Sequence, residues 1–145
     1  MSGREEGLDG EAPHDGVVLR GVKYLFQQAA ARQDAKWSIA ASYLEIYNEG
    51  VFDLLNFDKR GLPVKWDAGR GFYVPGLKTV ACSGVKSMID VLQTGANNRR
   101  VGSHELNMES SRSHAMISIH CNATPTDPTS YDYGTVRYGK VSATH

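Results

Sequence analysis

The sequence has few cysteines and no long apolar run, and each shortage excludes a class of protein. Its 145 residues include two cysteines, Cys82 and Cys121, which lie far apart and form no CxxC pair. This usage is typical of a reduced, intracellular protein rather than a disulfide-stabilised secreted one. No run of 18 apolar residues is present, and the first residues lack the apolar core of a signal peptide. We therefore expect no membrane insertion.

An excess of charge of one sign is also missing. Sixteen basic and sixteen acidic residues give a formal net charge of zero, so no overall field favours nucleic acid as a partner. Hydrophobic residues make up 41% of the chain, which is ordinary for a folded domain. The composition and length predict one small globular domain with its own core.

Hydrophobic periodicity predicts a mixed α/β domain. The first helix is predicted to present one apolar face, formed by Val18, Val22, Leu25, Phe26 and Ala29. Residues 36–47 have the apolar character of a strand covered on both sides. A short apolar turn is expected at residues 51–55, followed by a small antiparallel meander over residues 62–82. A second helix, capped by Ser83 and ending at Asn97 and Asn98, presents one apolar face. That face consists of Val85, Met88, Ile89, Leu92 and Ala96.

The end of the chain is expected to form two neighbouring strands. Alternating apolar residues predict one strand over residues 115–121, a loop over residues 122–132, and a last strand over residues 133–142. This hairpin-like order argues against a uniformly parallel sheet.

Residues 102–112, which we call the polar segment, lie between the second helix and the strand at residue 115. They lead into the string Asn107-Met-Glu-Ser110-Ser111-Arg112-Ser113-His114. Composition alone fits a turn that caps a strand. Nucleophilic catalysis is disfavoured, because Ser111 and His114 share one extended stretch and no aspartate is indicated to orient the histidine. A zinc site at His114, His120 and Cys121 is also disfavoured, because the ligand spacing is unpaired.

Four segments resemble the kinesin motor domain, in the order and spacing of that family. Asn-x-x-Ser-Ser-Arg-Ser-His resembles its switch I signature, and Tyr43-Leu-Glu-Ile-Tyr-Asn-Glu49 with Val51-Phe-Asp-Leu-Leu-Asn56 resembles its central strand and the following turn. Asn98-Arg99-Arg100 is similar to the helix end before switch I, and Gly16-Val-Val-Leu-Arg20 to the helix start after the phosphate loop. The resemblance implies a partial kinesin-type, P-loop NTPase fold: a mixed sheet flanked by helices, plus the meander.

The resemblance also implies roles for five residues in ATP and Mg²⁺ binding. Ser111 would ligate Mg²⁺, while Asn107 and Ser110 would organise the γ-phosphate and the attacking water. Arg112 would pair with a switch II glutamate, and Arg99 would lie near the same phosphate. Such a segment orders on γ-phosphate contacts and relaxes after phosphate release.

The meander resembles the secondary microtubule-contacting lobe of the family. Lys65, Arg70 and Lys78 are the basic residues that would meet acidic tubulin; ordinary solvated surface charge is the alternative for each. By family, the chain is expected in the cytoplasm on microtubules. Subfamily and oligomeric state are not encoded in it.

Two other parts of a kinesin site are absent from these 145 residues. No Walker A loop precedes the first helix, and Gly134-Thr-Val-Arg-Tyr-Gly139-Lys140 is rejected as one because Val141 replaces the Ser or Thr that Mg²⁺ requires. No Asp-Leu-Ala-Gly-Ser-Glu, the switch II sequence, is present either. We therefore expect a motor fragment that is catalytically inactive alone. A non-catalytic microtubule- or partner-binding module and an incomplete gene model remain as alternatives.

Domain boundaries follow from the same comparison of motifs. Residues 1–15 are expected to be a flexible N-terminal segment, 16–142 a partial motor domain, and 143–145 a divergent end. Without a Walker A strand and a switch II strand, the strands at residues 36–47 and 115–121 are expected to have unpaired edges, which favours association.

Overall fold

The computed structural model describes residues 15–56, 58, 61–105, 112–131 and 133–144. The predicted N-terminal segment, residues 1–14 of it, lies outside this part of the chain. Within the described residues, two helices and seven strands follow one another in this order: α1 (Asp15–Ala31), β1 (Ala35–Tyr47), β2 (Gly50–Asp53), β3 (Lys65–Asp67), β4 (Gly71–Tyr73), β5 (Val80–Cys82), α2 (Val85–Glu105), β6 (Ser113–Pro125) and β7 (Arg137–Thr144).

The larger sheet is antiparallel throughout and is built around β1. β6 pairs with β1 along its whole length, from Ala35 opposite Pro125 to Tyr47 opposite Ser113. β2 and β5 share the other edge of β1, and β7 pairs with the far edge of β6. The prediction of a sheet that is not parallel is confirmed. The expectation of unpaired edges on β1 and β6 was wrong, because both strands have neighbours on both sides.

The core lies between the sheet and the two helices. Alternate residues of β1 and β6 face the helices, and their apolar side chains pack with Val22 of α1 and Met88 of α2. The predicted apolar face of the first helix is confirmed, since Val18, Leu25 and Phe26 pack against the same cluster. Burial of this face stabilises the sheet and fixes α2 above β1.

A tight turn joins β1 to β2, where the sequence predicted only a break. Asn48 and Glu49 both have positive φ, 51° and 65°. Two central residues of this conformation form the turn whose twist matches a β-hairpin. The expected apolar turn over residues 51–55 was therefore misplaced: its first half is strand β2, which pairs with β1 from Leu44 opposite Asp53.

The predicted meander is a two-stranded hairpin and a separate strand. β3 and β4 pair with each other, with Trp66 opposite Phe72. The third apolar run does not continue this hairpin, because β5 pairs with β1 through Ile39 opposite Cys82. The apolar character of residues 80–82 reflects burial in the main sheet, a cause that the sequence pattern does not separate from hairpin pairing.

Helix α2 is longer than predicted. Its predicted apolar face is confirmed in part, since Met88 is buried and Val85 and Leu92 pack against the core. Asn97 and Asn98 do not end it, because both amides have partners that make an interior position tolerable. The Asn97 Oδ1 accepts a hydrogen bond from Arg100 (2.6 Å), and the Asn98 Nδ2 donates to the Leu54 carbonyl oxygen (2.7 Å). The buried face follows Met88, Val91, Gly95 and Gly102, whereas Ala96 is exposed.

The start of α2 is closed by a different serine from the one predicted. The Ser87 Oγ accepts hydrogen bonds from the backbone N–H groups of Ser83 (3.0 Å) and Gly84 (3.1 Å), and its hydroxyl donates to the Gly84 carbonyl (2.9 Å). Ser83 thus precedes the helix and is held by Ser87. This arrangement satisfies N–H groups that a helix start otherwise leaves unpaired.

The last two strands also differ in their bounds. β6 continues through residues 122–125, which were expected to form a loop, because they pair with the start of β1. β7 begins at Arg137 rather than residue 133, and all eight of its residues are exposed. Gly139 and Lys140 lie inside this strand, which agrees with the rejection of a phosphate loop there.

Candidate functional site

The polar segment connects the end of α2 to the start of β6 in the middle of the sheet. Three of its predicted site residues, Asn107, Ser110 and Ser111, lie outside the described residues, so their roles stay predictions. Arg112 is described, and its side chain is exposed immediately before β6. The first part of the segment, up to Glu105, is helical rather than loop.

Arg99 lies inside α2 and points to the sheet. Its Nε donates to Glu45 Oε2 at 2.8 Å, and its Nη2 donates to Ser113 Oγ at 3.1 Å. The side chain of Arg99 is 20% exposed, and that of Glu45 is 1% exposed. Arg99 therefore joins three elements, α2, β1 and β6, next to both ends of the polar segment. Its predicted contact with a phosphate stays a prediction.

Glu45 is the residue of this site that the sequence analysis missed. It lies on the helix-facing side of β1, opposite Ala115 of β6 and Phe52 of β2. Its second carboxylate oxygen, Oε1, is buried without a hydrogen-bond partner in the described part of the chain. A carboxylate is rarely left in a core without a cation. A glutamate at an inward position of an apolar strand was the available signal.

Asp53, at the end of β2, holds the turn that follows this strand. It is fully buried at the end of β2, and its Oδ1 accepts from the Leu55 N–H (3.0 Å) while its Oδ2 accepts from the Lys78 N–H (2.7 Å). Asn98 on α2 binds the adjacent turn through the Leu54 carbonyl. These bonds join the turn after β2 to the segment that enters β5 and to helix α2.

The proposed microtubule-contacting residues lie on the hairpin and just after it. Lys65 is exposed on β3. Arg70 stands 3.8 Å above the Tyr73 ring centroid and 3.8 Å from the Asp67 carboxylate. Lys78 is exposed on the segment that returns to the sheet, not on the hairpin itself. The structure thus places two of the three cations on one hairpin, and their role stays a prediction.

Apolar side chains on the hairpin add to this surface and were not singled out from sequence. Trp66 is 62% exposed and Phe72 is 73% exposed, and they face each other across β3 and β4. Val64 beside them is also exposed. Large apolar side chains in solvent, next to cations, are typical of a protein-contacting surface.

The second face of the sheet carries a hydrogen-bonded histidine. The ring of His120 on β6 is 3.3 Å from Ser42 Oγ through Nε2 and 2.7 Å from the Tyr138 hydroxyl through Nδ1. Burial lowers the pKa of His120, and the neighbouring charge of Lys140 lowers it further. This group lies away from the polar segment and ties β1, β6 and β7 together.

No group of three His, Cys, Asp or Glu side chains suited to a metal ion occurs among the described residues. Neither α1 nor α2 is both long and apolar enough to cross a membrane. Cys82 and Cys121 are both free and buried, and burial raises the pKa of both thiols.

Comparison with known proteins gives one consistent result. The family model described as the kinesin motor domain matches residues 1–142. The chain is 42% identical over 106 residues to mouse kinesin-like protein KIF12, covering 72% of this chain and 16% of that protein. It is 34% identical over 137 residues to kinesin-like protein Klp68D of Drosophila melanogaster, covering 94% and 17% respectively. The chain thus spans less than a fifth of the length of these curated relatives.

A solved structure of a fast kinesin has the same fold. It aligns with a TM-score of 0.80 at 30% identity, covering 88% of this chain and 35% of the solved one. This likeness confirms the predicted partial α/β fold, with its mixed helices and strands.

Proposed function

The chain belongs to the kinesin motor domain family, and we propose on that premise that it is the phosphate-sensing part of an ATP-driven microtubule motor. The observation that carries this proposal is the position of the polar segment. It joins α2 to β6, the strand that pairs with the central strand β1. A change in this segment on phosphate binding would therefore reach the middle of the sheet directly.

The residue types of the segment fit an anionic ligand with Mg²⁺. Ser110 and Ser111 supply hydroxyls, Asn107 supplies an amide, and Arg112 supplies an exposed guanidinium. Mg²⁺ in nucleotide sites takes few protein ligands and is shared with phosphate oxygens, so one serine hydroxyl is a sufficient protein contribution here. Bound Mg-ATP would supply the phosphoryl group, while these side chains would position it and stabilise its charge.

Arg99 contributes by position as much as by charge. The Glu45 carboxylate compensates the guanidinium charge, and the Ser113 hydroxyl accepts a second bond from it. A phosphate contact would add to these bonds or compete with them. We therefore assign Asn107, Ser110 and Ser111 the direct contacts and Arg99 a supporting one. We further propose that the 145-residue chain alone has no ATP turnover, because its sequence contains neither a Walker A loop nor a switch II segment.

A second candidate function is a non-catalytic microtubule-binding module, and the hairpin favours it. Lys65 and Arg70 are exposed beside Trp66 and Phe72, a combination suited to an acidic protein surface with apolar contacts. The same surface serves the motor proposal, in which it would be the secondary tubulin contact.

Co-sedimentation with microtubules, with and without ATP, tests both candidates. We expect the triple variant Lys65→Ala/Arg70→Ala/Lys78→Ala to bind about tenfold more weakly at low salt, since it removes three cations. The matched control is Lys23→Ala/Arg32→Ala/Lys86→Ala, which removes three exposed cations from elsewhere and should bind normally. Equal binding by both triple variants would refute the assignment of the hairpin. Binding that changes with ATP supports the motor; binding that ignores ATP favours the module.

A further inference from the structure

A buried ion pair between Glu45 and Arg99 lies where α2 meets the start of β6. Glu45 is 1% exposed, lies on the helix-facing side of β1 beside the buried apolar residues Tyr43 and Ala115, and is paired with Arg99 at 2.8 Å. Neither a stability argument nor the proposed phosphate contacts require a carboxylate there. A buried pair can often be replaced by apolar residues of similar volume without loss of stability. The Glu45–Arg99 pair therefore points to a role in holding neighbouring elements in position rather than in stabilising the core.

We infer that Glu45 is a positioning residue that fixes Arg99 as a strut between α2 and the first residue of β6. The strut sets the distance between Arg99 and Ser113, the residues on either side of the polar segment. Its importance for phosphate sensing rests on the proposed function, whereas the positioning itself does not.

The register of the sheet explains why Glu45 can do this. Glu45 is opposite Ala115, and Ser113 is opposite Tyr47, so both Glu45 and Ser113 lie on the helix-facing side of neighbouring strands. Arg99 reaches down from α2 and donates to both of them, through Nε and Nη2. The carboxylate orients the guanidinium plane, and that orientation carries the second donor to Ser113.

The chemistry of arginine is essential to this arrangement. A guanidinium presents several N–H donors in a rigid plane, so fixing one edge fixes the others. A lysine has a single nitrogen on a flexible stem and would not hold two acceptors at set angles. The bond between Arg99 and Ser113 joins two residues that are 14 positions apart in sequence, and the polar segment lies between them. Both residues are thereby tied to β1 through one carboxylate.

The test is peptide-resolved hydrogen exchange on the full 145-residue chain, without nucleotide or microtubules. We expect Glu45→Gln to raise amide exchange roughly tenfold at the end of α2 (residues 100–105) and at the start of β6 (residues 113–115). Exchange in the middle of β6, at residues 117–121, should stay unchanged. Glu45→Asp keeps the charge and should restore part of the protection.

Two further variants provide a second test and a control. Ser113→Ala removes the hydroxyl that accepts the second bond of the strut and leaves the Glu45–Arg99 pair in place. It should reproduce the increase at residues 113–115 even if Glu45→Gln does not fold. Asn98→Ala is the matched control, because Asn98 neighbours Arg99 on α2 but binds Leu54, and it should loosen the turn after β2 instead. A uniform rise across the core in Glu45→Gln, or no change at residues 113–115 in Ser113→Ala, would overturn the inference. Loss of microtubule binding in other assays would leave it untouched.

Discussion

Helix α2 approaches β1 so closely that only glycine fits at the contact. A Cβ built on Gly95 would lie 2.6 Å from Tyr43 Cε2 and 2.9 Å from Cγ, and closer still to Cδ2. The Tyr43 ring is 4% exposed and packed in the core. Neither the ring nor the helix can move without disturbing packing, so Gly95→Ala should be strongly unfavourable despite the better helix propensity of alanine.

The magnitude follows from two opposed effects. Overpacking a well-filled core costs about 3 kcal/mol at the upper end of its usual range, which contacts this short justify. Replacing glycine by alanine inside a helix returns about 1 kcal/mol. We therefore expect Gly95→Ala to lose about 2 kcal/mol of unfolding free energy. That loss would lower a urea midpoint by about 1 M for a domain of this size.

Gly21 on α1 provides a matched control for this measurement. Its side-chain position is exposed and a Cβ there would meet nothing within 4 Å. Gly21→Ala should therefore gain about 0.5–1 kcal/mol, since only the propensity effect remains. Urea denaturation of both variants, followed by circular dichroism, decides the matter. A Gly95→Ala protein as stable as the unchanged chain would refute the close packing of α2 on β1.

Three further predictions concern charge. Arg99→Gln should lower the unfolding free energy by about 3–5 kcal/mol because it leaves the buried Glu45 carboxylate without its cation, whereas Glu45→Gln should lower it less. Denaturation of both single variants and of the double variant measures the coupling between the two residues. A larger loss in Glu45→Gln than in Arg99→Gln would contradict the ion pair. Burial and the nearby Lys140 lower the pKa of His120 in the folded chain, so the unfolded chain takes up the histidine proton at a higher pH than the folded one. The unfolding free energy should therefore fall as pH falls through the ordinary histidine range. A His120→Gln variant whose stability has the same pH profile would show this to be wrong. Because burial raises the thiol pKa of Cys82 and Cys121, native alkylation at neutral pH should be slow and should accelerate on unfolding; rapid labelling of the folded chain would oppose it.

The parts of the fold that could be read from sequence are those set by local periodicity. The apolar face of α1 follows from helical spacing, and the long strand β1 follows from aliphatic and aromatic residues on both of its faces. The end of α2 could not be read in this way. Asn97 and Asn98 are poor helix formers in isolation, and it is the partners contributed by Arg100 and the Leu54 carbonyl that keep them helical.

Long-range pairing explains the remaining differences. Residues 80–82 and 122–125 become strand because β1 offers hydrogen-bonding partners at those positions, and no local signal encodes a partner 40 to 90 residues away. The same reason hid Glu45, whose role depends on Arg99 and Ser113 being brought beneath the same helix. The motif at residues 107–114 predicts the position of the site in the chain, but Glu45, which supports the site, lies on another strand.

Phosphate release from ATP by the purified 145-residue chain, with and without microtubules, tests the central claim most directly. The polar segment supplies only one part of a nucleotide site, so we predict no microtubule-stimulated turnover and no difference between the unchanged chain and Ser111→Ala. Turnover that rises with microtubules and disappears in Ser111→Ala would show that these residues form a working active site, and would contradict the account.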